Sequence, residues 1–257
     1  RDCYVDGTAS EAIKSAVRIG GHLDCISLMR ELGVYVLATS GVLHVQIRYG
    51  RHWLRSPRSR STRLADSKAR VVTHWRADTV DEHSTIALLP RALAQAVLCQ
   101  RPRAAIATLD SAIHLGVIGL ADLDEVFRWL PERLQRLRKF VDGRAESGPE
   151  TFARLLLRTL GCSIELQVEI GGVGRVDLLV DGWIIVECDS RAFHGGWDQQ
   201  SKDRMRDLAA AAQGYATLRP TASQLVNAPQ RLTDAVRGLL RLRRAAGAGK
   251  QQHVLRV

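Results

Sequence analysis

The chain has 257 residues, of which 46% are hydrophobic and 25% charged, a balance typical of a soluble globular protein with one large domain or two ordinary ones. It contains no run of about 18 uninterrupted apolar residues, so a transmembrane helix is excluded. The first ten residues, RDCYVDGTAS, lack the apolar stretch of a signal peptide. The five cysteines form no CxxC pair, which argues against a disulfide framework or a zinc knuckle and predicts a reducing, cytoplasmic location.

The charge balance is strongly basic. Lys and Arg number 37 against 27 Asp and Glu, a formal net charge of +10. Such a balance favours a polyanionic partner, DNA above all. The alternative is compositional, because only five of the 37 basic residues are Lys and this Arg bias often accompanies GC-rich coding. We expect nucleic acid, and no membrane, as the partner.

The first part of the chain is predicted to be an α+β module. Residues 10–20 and 22–32 carry apolar positions at helical spacing, and Gly33 is placed to end the second helix. VYVLAT and GVLHVQI then alternate as strands joined at Ser40 and Gly41. Helix, helix and β-hairpin in this order are typical of a winged-helix-like domain, although the order is common.

Residues 48–63 form a basic segment that holds six Arg and no carboxylate, with Tyr49 and Trp53 among them. Guanidinium groups pair with phosphates, and aromatic rings offer stacking faces to unpaired bases. We predict a flexible loop facing nucleic acid; a merely solvated basic loop is the alternative. The candidate nucleic-acid-binding residues of this segment are Arg48, Arg51, Arg55, Arg58, Arg60 and Arg63.

Residues 70–78 are predicted to be a strand, and residues 85–142 a series of amphipathic helices. Asp110 and His114 lie four residues apart on one of these helices, which fits a metal pair but more often an ordinary helix contact. A polar, glycine-bearing break at 142–148 marks a domain boundary. The predicted domains are 1–84 (winged-helix-like and basic), 85–145 (helical linker region), 146–244 (a second α/β domain) and 245–257 (a loose tail).

The second domain is predicted to contain a helix, three strands, a helix, a strand and further helices to about residue 244. Ser147 and Glu150 have the spacing of a capping box, so Glu150 has a purely structural interpretation. Asp181 and Gly182 form a strong hairpin turn signal. The predicted elements are 147–160, 162–170, two strands within 174–194, 196–214 and 215–220.

Three carboxylates lie at apolar strand ends of this domain: Asp177, Glu187 and Asp189. A buried unpaired carboxylate costs several kcal/mol, so they need compensation. A divalent cation is the simplest one, since Mg²⁺ or Mn²⁺ prefers hard oxygen ligands; Arg175 and Arg191 are the alternative partners.

The register of the hairpin tests the metal hypothesis. A two-residue turn at 181–182 would place Asp177 and Glu187 on opposite faces, because strand side chains alternate. A three-residue loop over 180–182 would place them on the same face. The hypothesis therefore requires an odd-numbered loop or a bulge.

Several elements of this domain recur in a known order: Glu150 on the first helix, VD on one strand, VECD and then His194 on the next, DRMRD on a helix, and GY then LR on the last strand. In this order, residues 147–242 resemble a very-short-patch-repair-like endonuclease domain of the PD-(D/E)XK, or restriction-endonuclease-like, superfamily. The resemblance implies a restriction-endonuclease-like αβββαβ core and a Mg²⁺- (or Mn²⁺-) dependent phosphodiesterase.

By position, the resemblance implies that Asp177 and Glu187 are the metal ligands and that Glu150 is a supporting acid. Asp189 stands where many members of the superfamily have the catalytic Lys, which leaves the positive group open.

His194 and Lys202 are the candidates to orient water or to steady the scissile phosphate, and Arg204 and Arg206 are the candidates to hold DNA. The full set of catalytic candidates is Glu150, Asp177, Glu187, Asp189, His194 and Lys202.

The N-terminal 145 residues show a looser resemblance to the antitoxin family of type IV abortive-infection systems, carried by element order and by TIALLPRALAQAVL and AIATLDSAIHLGVI. It implies DNA binding. The sequence thus predicts a metal-dependent DNA endonuclease, in phage defence or restriction rather than mismatch repair. The alternatives are a DNA-binding regulator or antitoxin with an inactive nuclease-like domain, and a metal-free interaction module with arginine-paired acids. A homodimer is a further candidate assembly.

Overall fold

The computed structural model describes residues 7–37, 41–77, 84–188 and 197–254 of the protein. The chain divides into two compact units between Gly143 and Arg144. Each unit combines helices with a β-sheet, so the mixed α/β class predicted from the sequence is confirmed. Within the described ranges, every helix is too short or too polar to cross a membrane.

The N-terminal unit contains six α-helices and three strands among its described residues. Ser10 caps the first helix by accepting the N–H of Ile13, and Gly20 ends it with a left-handed φ of 104°. The elements are α1 (Glu11–Ile19), β1 (His22–Leu23), α2 (Cys25–Glu31), β2 (Leu43–Arg48), β3 (Val71–Arg76), α3 (Leu89–Leu98), α4 (Pro102–His114), α5 (Leu123–Arg128) and α6 (Glu132–Gln135).

The sheet of this unit has the order β1-β2-β3, with β2 antiparallel to β1 and parallel to β3. Val45 and Ile47 of β2 are fully buried on one face. His44 and Gln46 alternate with them and occupy the other face, where they are also buried. The unit therefore buries polar side chains on one side of its sheet, and these need partners.

The hairpin predicted at 34–47 is wrong. Residues 34–37 form no strand, because their backbone groups are used elsewhere: the N–H of Val34 donates to Met29 and that of Tyr35 to the Ser111 hydroxyl. The strand β2 instead pairs with β1 and β3. The two predicted helices and the strand at 70–78 are present as α1, α2 and β3.

The helical part of the N-terminal unit follows the predicted breaks, since Pro90 and Pro102 lie in the first turns of α3 and α4. Asp110 on α4 is buried and accepts the N–H of Asp142 at 2.7 Å. This bond gives Asp110 a structural role in joining α4 to the end of the unit.

The C-terminal unit has the element order helix, three strands, helix, strand that the sequence predicts. Its sheet has the order β4-β5-β6-β7, antiparallel except for the parallel pair β6 and β7. The elements are α7 (Gly148–Arg158), β4 (Ile164–Ile170), β5 (Gly174–Val180), β6 (Ile184–Val186), α8 (Trp197–Ala212), β7 (Ala216–Leu218), α9 (Ala222–Asn227) and α10 (Gln230–Val254).

The helix α8 covers one face of this sheet. Its Ala210 packs in one apolar cluster with Leu179 of β5 and Ile185 of β6. Burial of this cluster fixes α8 over the two strands that carry the predicted ligands. The last helix, α10, continues to Val254, so the loose tail predicted from residue 245 is wrong; Ala, Lys and Gln in this stretch are good helix formers.

Candidate functional site

The hairpin of β5 and β6 brings the two predicted ligands to the same face of the sheet. Val180 pairs with Ile184, so the loop has three residues, 181–183, with Asp181 and Gly182 at positive φ. The loop lies one residue later than predicted, but its odd length has the required effect. Continued by one pair, the register places Asp177 directly opposite Glu187.

The strand β4 and the helix α7 add polar side chains to the row formed by Asp177 and Glu187. The register of β4 places Gln167 opposite Asp177, on the side away from Glu187. The Gln167 Nε2 donates to Glu150 Oε2 at 2.8 Å. Glu150, from the first turn of α7, is nearly fully buried at 4% exposure. The helix α7 and three strands thus converge on one set of polar side chains.

The capping box predicted at the start of α7 is half present. Ser147 accepts the N–H of Glu150, as a helix cap does. The Glu150 carboxylate, however, accepts the N–H of Glu146 and the amide of Gln167. Glu150 is therefore turned toward the strands and is more than a cap.

The surroundings of the Asp177 carboxyl disfavour its negatively charged form. Burial raises its pKa to about 6, and the charges of Glu150, Glu187 and Glu146 add to the rise, against the effect of a hydrogen bond from the Cys188 N–H. That bond joins the Cys188 nitrogen to Asp177 Oδ2 at 2.7 Å. Repulsion among neighbouring carboxylates is what a bound cation would relieve.

Glu187 has arginine partners on both oxygens. Arg206 of α8 donates to Oε1 at 2.9 Å, and Arg219, just after β7, donates to Oε2 at 2.7 Å. Arg219 also pairs with Asp207, and Arg206 also donates to two backbone carbonyls, of residues 173 and 175. Glu187 is therefore held rigidly in place.

The donor chemistry of Asp177 and Glu187 fits Mg²⁺ or Mn²⁺, since both offer hard carboxylate oxygens. Each carboxylate oxygen has two lone pairs, so pairing with arginine leaves acceptor capacity on Glu187. Among the described residues, however, no three acidic side chains have ligand oxygens within 4.8 Å of one another.

Of the other predicted site residues, some are located in the structure and some lie outside the described residues. Lys202 is exposed on α8, one turn before Arg206 and on the same side of the helix. Arg204 is exposed on a different side. Asp189 and His194 lie outside the described residues. Arg175 pairs with Glu146 at 2.9 Å instead of with a ligand carboxylate, and Arg191 also lies outside the described residues.

After Arg48, the last residue of β2, the basic segment runs to residue 63 as a loop, as predicted, with one isolated antiparallel bridge between Arg55 and Arg63. Tyr49 and Trp53 are 63% and 69% exposed, so their rings are available for stacking. The Arg63 guanidinium lies 4.8 Å from the centre of the Trp53 ring. All six predicted arginines are exposed except Arg55, which is half-buried.

A second group of ligand-type side chains lies in the N-terminal unit: Cys25, His44, His74 and Cys99. Their spacing along the chain, 19 to 30 residues apart, matches no short metal-binding motif. The sequence therefore does not predict this group. Gln167 and Arg219 were not predicted either, although Arg219 belongs to the LR pair of the last strand.

The raised pKa of Asp177 predicts a pH-dependent stability in the absence of metal. Between the ordinary value of 3.8 and about 6, the folded protein binds the proton more tightly than the unfolded chain. The free energy of unfolding should therefore fall as the pH rises through this window. The substitution Asp177→Asn removes this loss. In EDTA, we expect urea unfolding to show that the free energy of unfolding of the variant rises relative to that of the wild type between about pH 5 and about pH 8. An equal difference at both values would contradict the prediction.

Comparisons with protein-family models, with curated proteins and with solved structures give no match to this chain.

Proposed function

We propose that this protein is a metal-dependent DNA endonuclease that hydrolyses phosphodiester bonds, and that the row of polar side chains in the C-terminal unit is its active site. One observation carries the proposal: Asp177 on β5 and Glu187 just after β6 share a face, where burial, with a smaller effect of the Glu150 charge, raises the pKa of Asp177. Buried acids that repel one another destabilise a fold, and such perturbed groups concentrate at functional sites. The superfamily resemblance of residues 147–242 supports the same assignment.

Each side chain has a role in this proposal. Asp177 and Glu187 would hold the metal ion, which when bound supplies charge neutralisation at the phosphate and a water of lowered pKa. Arg206 and Arg219 fix the Glu187 carboxylate in place. Gln167 and the Glu146 N–H orient Glu150, which would be the supporting acid. Lys202 is an exposed cation on the same side of α8 as Arg206 and would contact a phosphate.

DNA is the proposed substrate because the chain has a net charge of +10. The exposed arginines and rings of segment 48–63 suit a backbone of phosphates and unpaired bases. Phage defence or restriction is the proposed biological role, on the strength of the two resemblances alone.

The alternative, a DNA-binding regulator with an inactive nuclease-like domain, is favoured by the two arginines on Glu187. A carboxylate that already has two cationic partners needs no metal for compensation. Asp177 has a backbone N–H and neighbouring acids instead, which is why the nuclease remains the better proposal.

Cleavage and binding should be measured separately on the full chain. Supercoiled plasmid and phage DNA are incubated with Mg²⁺, with Mn²⁺ or with EDTA, and binding is followed by mobility shift. We expect nicked or linear DNA with either metal and intact, bound DNA in EDTA.

The panel should include methylated, mismatched and single-stranded DNA, because the recognised feature is unspecified. Binding without cleavage of any of these would replace the nuclease with the regulator. If the protein neither binds nor cleaves any of these DNAs, both proposals are overturned.

A further inference from the structure

Four ligand-type side chains from four different elements converge in the N-terminal unit. Cys25 is the first residue of α2, His44 lies on β2, His74 lies on β3, and Cys99 directly follows α3. Their sulfur and ring nitrogen atoms all lie within 4.8 Å of one another, which no other group of three or more such residues achieves in the described part of the chain.

The separations fit tetrahedral coordination. Nδ1 of His44 and Nε2 of His74 are 3.1 Å apart, and Nε2 of His74 is 4.0 Å from the Cys99 sulfur. Around a tetrahedral zinc ion with ordinary bond lengths, two nitrogen ligands lie about 3.3 Å apart and a nitrogen and a sulfur about 3.5 Å apart. Only small shifts would therefore close the four side chains on one ion.

The backbone holds these residues in place. The Asp24 N–H donates to the His44 carbonyl, and the His44 N–H donates to the Ser27 hydroxyl, so the start of α2 is bound to β2 beside His44. Cys25 has a φ of 54°. This left-handed conformation is unfavourable for a non-glycine residue and persists only where the surroundings enforce it.

A second layer of hydrogen bonds surrounds the group. Gln95 Nε2 lies 3.5 Å from the Cys99 sulfur, and Gln95 Oε1 accepts from Arg76 at 3.3 Å. Arg76 in turn pairs with the buried Asp24 at 2.8 Å. Outer hydrogen bonds of this kind orient metal ligands. Cys99 is exposed and His74 is half-buried, which gives an ion a path to the two buried ligands, Cys25 and His44.

We propose that Cys25, His44, His74 and Cys99 form a structural zinc site. Two thiolates and two imidazoles are a donor set that selects zinc over the hard cations Mg²⁺ and Mn²⁺. Binding of Zn²⁺ displaces the thiol protons of both cysteines to solvent and leaves the oxidation state unchanged. With four protein ligands the site is closed, so its role is to join α2, α3 and the sheet. This inference is independent of the proposed nuclease.

The test uses the full chain purified in reductant without added chelator. Metal content is measured by mass spectrometry for the wild type, for Cys25→Ser and Cys99→Ser, and for Cys162→Ser as a matched control in the other unit. We expect one zinc ion per chain in the wild type and the control, and loss of it in both cluster variants. Removal of zinc should lower the temperature midpoint of unfolding of the wild type.

Titration of zinc-free wild type with Co²⁺ keeps the proposal testable if the variants fail to fold. A tetrahedral site with two thiolates gives intense visible bands and a thiolate-to-cobalt charge-transfer band, and added Zn²⁺ should abolish both. A weak octahedral spectrum in the reduced protein would overturn the proposal. The proposal would also be overturned if the purified protein contained a Cys25–Cys99 disulfide and, after reduction of that disulfide, bound no zinc.

Discussion

Replacing Asp177 with Asn is expected to reduce metal-dependent DNA cleavage by about 10³-fold or more. Metal catalysis is worth several kcal/mol of transition-state stabilisation, and each 1.36 kcal/mol is a factor of about ten in rate. The amide keeps the size of the side chain but loses the charge that would hold the ion. Glu187→Gln should have a similar effect, although Arg206 and Arg219 would then also lose their ion pairs with residue 187.

The matched control is Asp234→Asn, which removes one negative charge from an exposed position of α10 that pairs only locally, with Arg237. Its initial rate of plasmid nicking should stay within about twofold of the wild type, because surface pairs contribute little. DNA binding in EDTA should be unchanged in all three variants. A wild-type cleavage rate in Asp177→Asn would show that the proposed ligand is wrong.

Replacing Arg76 with Met is expected to lower the free energy of unfolding of the N-terminal unit by about 3–5 kcal/mol. Arg76 is 7% exposed and its partner Asp24 is fully buried. Burial raises the pKa of Asp24 even though Arg76 acts to lower it. One Asp24 oxygen also has no hydrogen-bond partner among the described residues. Loss of Arg76 would leave this carboxylate uncompensated, which is far more costly than loss of an exposed pair.

Urea unfolding followed by circular dichroism measures the effect, with Arg138→Met as the control. Arg138 pairs with Asp124, but both side chains are well exposed; its loss should cost less than about 1 kcal/mol. Equal losses in the two variants would mean that the Asp24 pair contributes no more than a surface contact. The double variant Asp24→Asn, Arg76→Met should recover part of the loss.

The C-terminal unit could be predicted well because its signals are local. Alternation marks each strand, and the odd or even length of the loop after Val180 decides whether Asp177 and Glu187 share a face. The arginine partners of Glu187 could not be predicted. Arg206 and Arg219 come from a helix and a strand end whose approach depends on packing against the sheet.

The N-terminal unit was harder to predict because its sheet joins distant segments. The apolar run after Gly33 has the composition of a strand, but its N–H groups donate to α2 and α4. The parallel partner of β2 lies beyond the whole basic segment. The group of Cys25, His44, His74 and Cys99 depends on this pairing, so no spacing rule applied to the sequence could reveal it.

The parallel pairing of β2 and β3 has a consequence for the basic segment. Parallel neighbours start at the same end, so the chain that leaves Arg48 must travel back along the full length of the strands before Val71 begins. Six residues of strand span about 20 Å. Within this return path Arg55 and Arg63 form an antiparallel bridge and the Ser56 N–H donates to the Thr62 carbonyl, so the chain folds back on itself and gathers the arginines from 55 to 63 into one tight loop instead of spreading them along the strands.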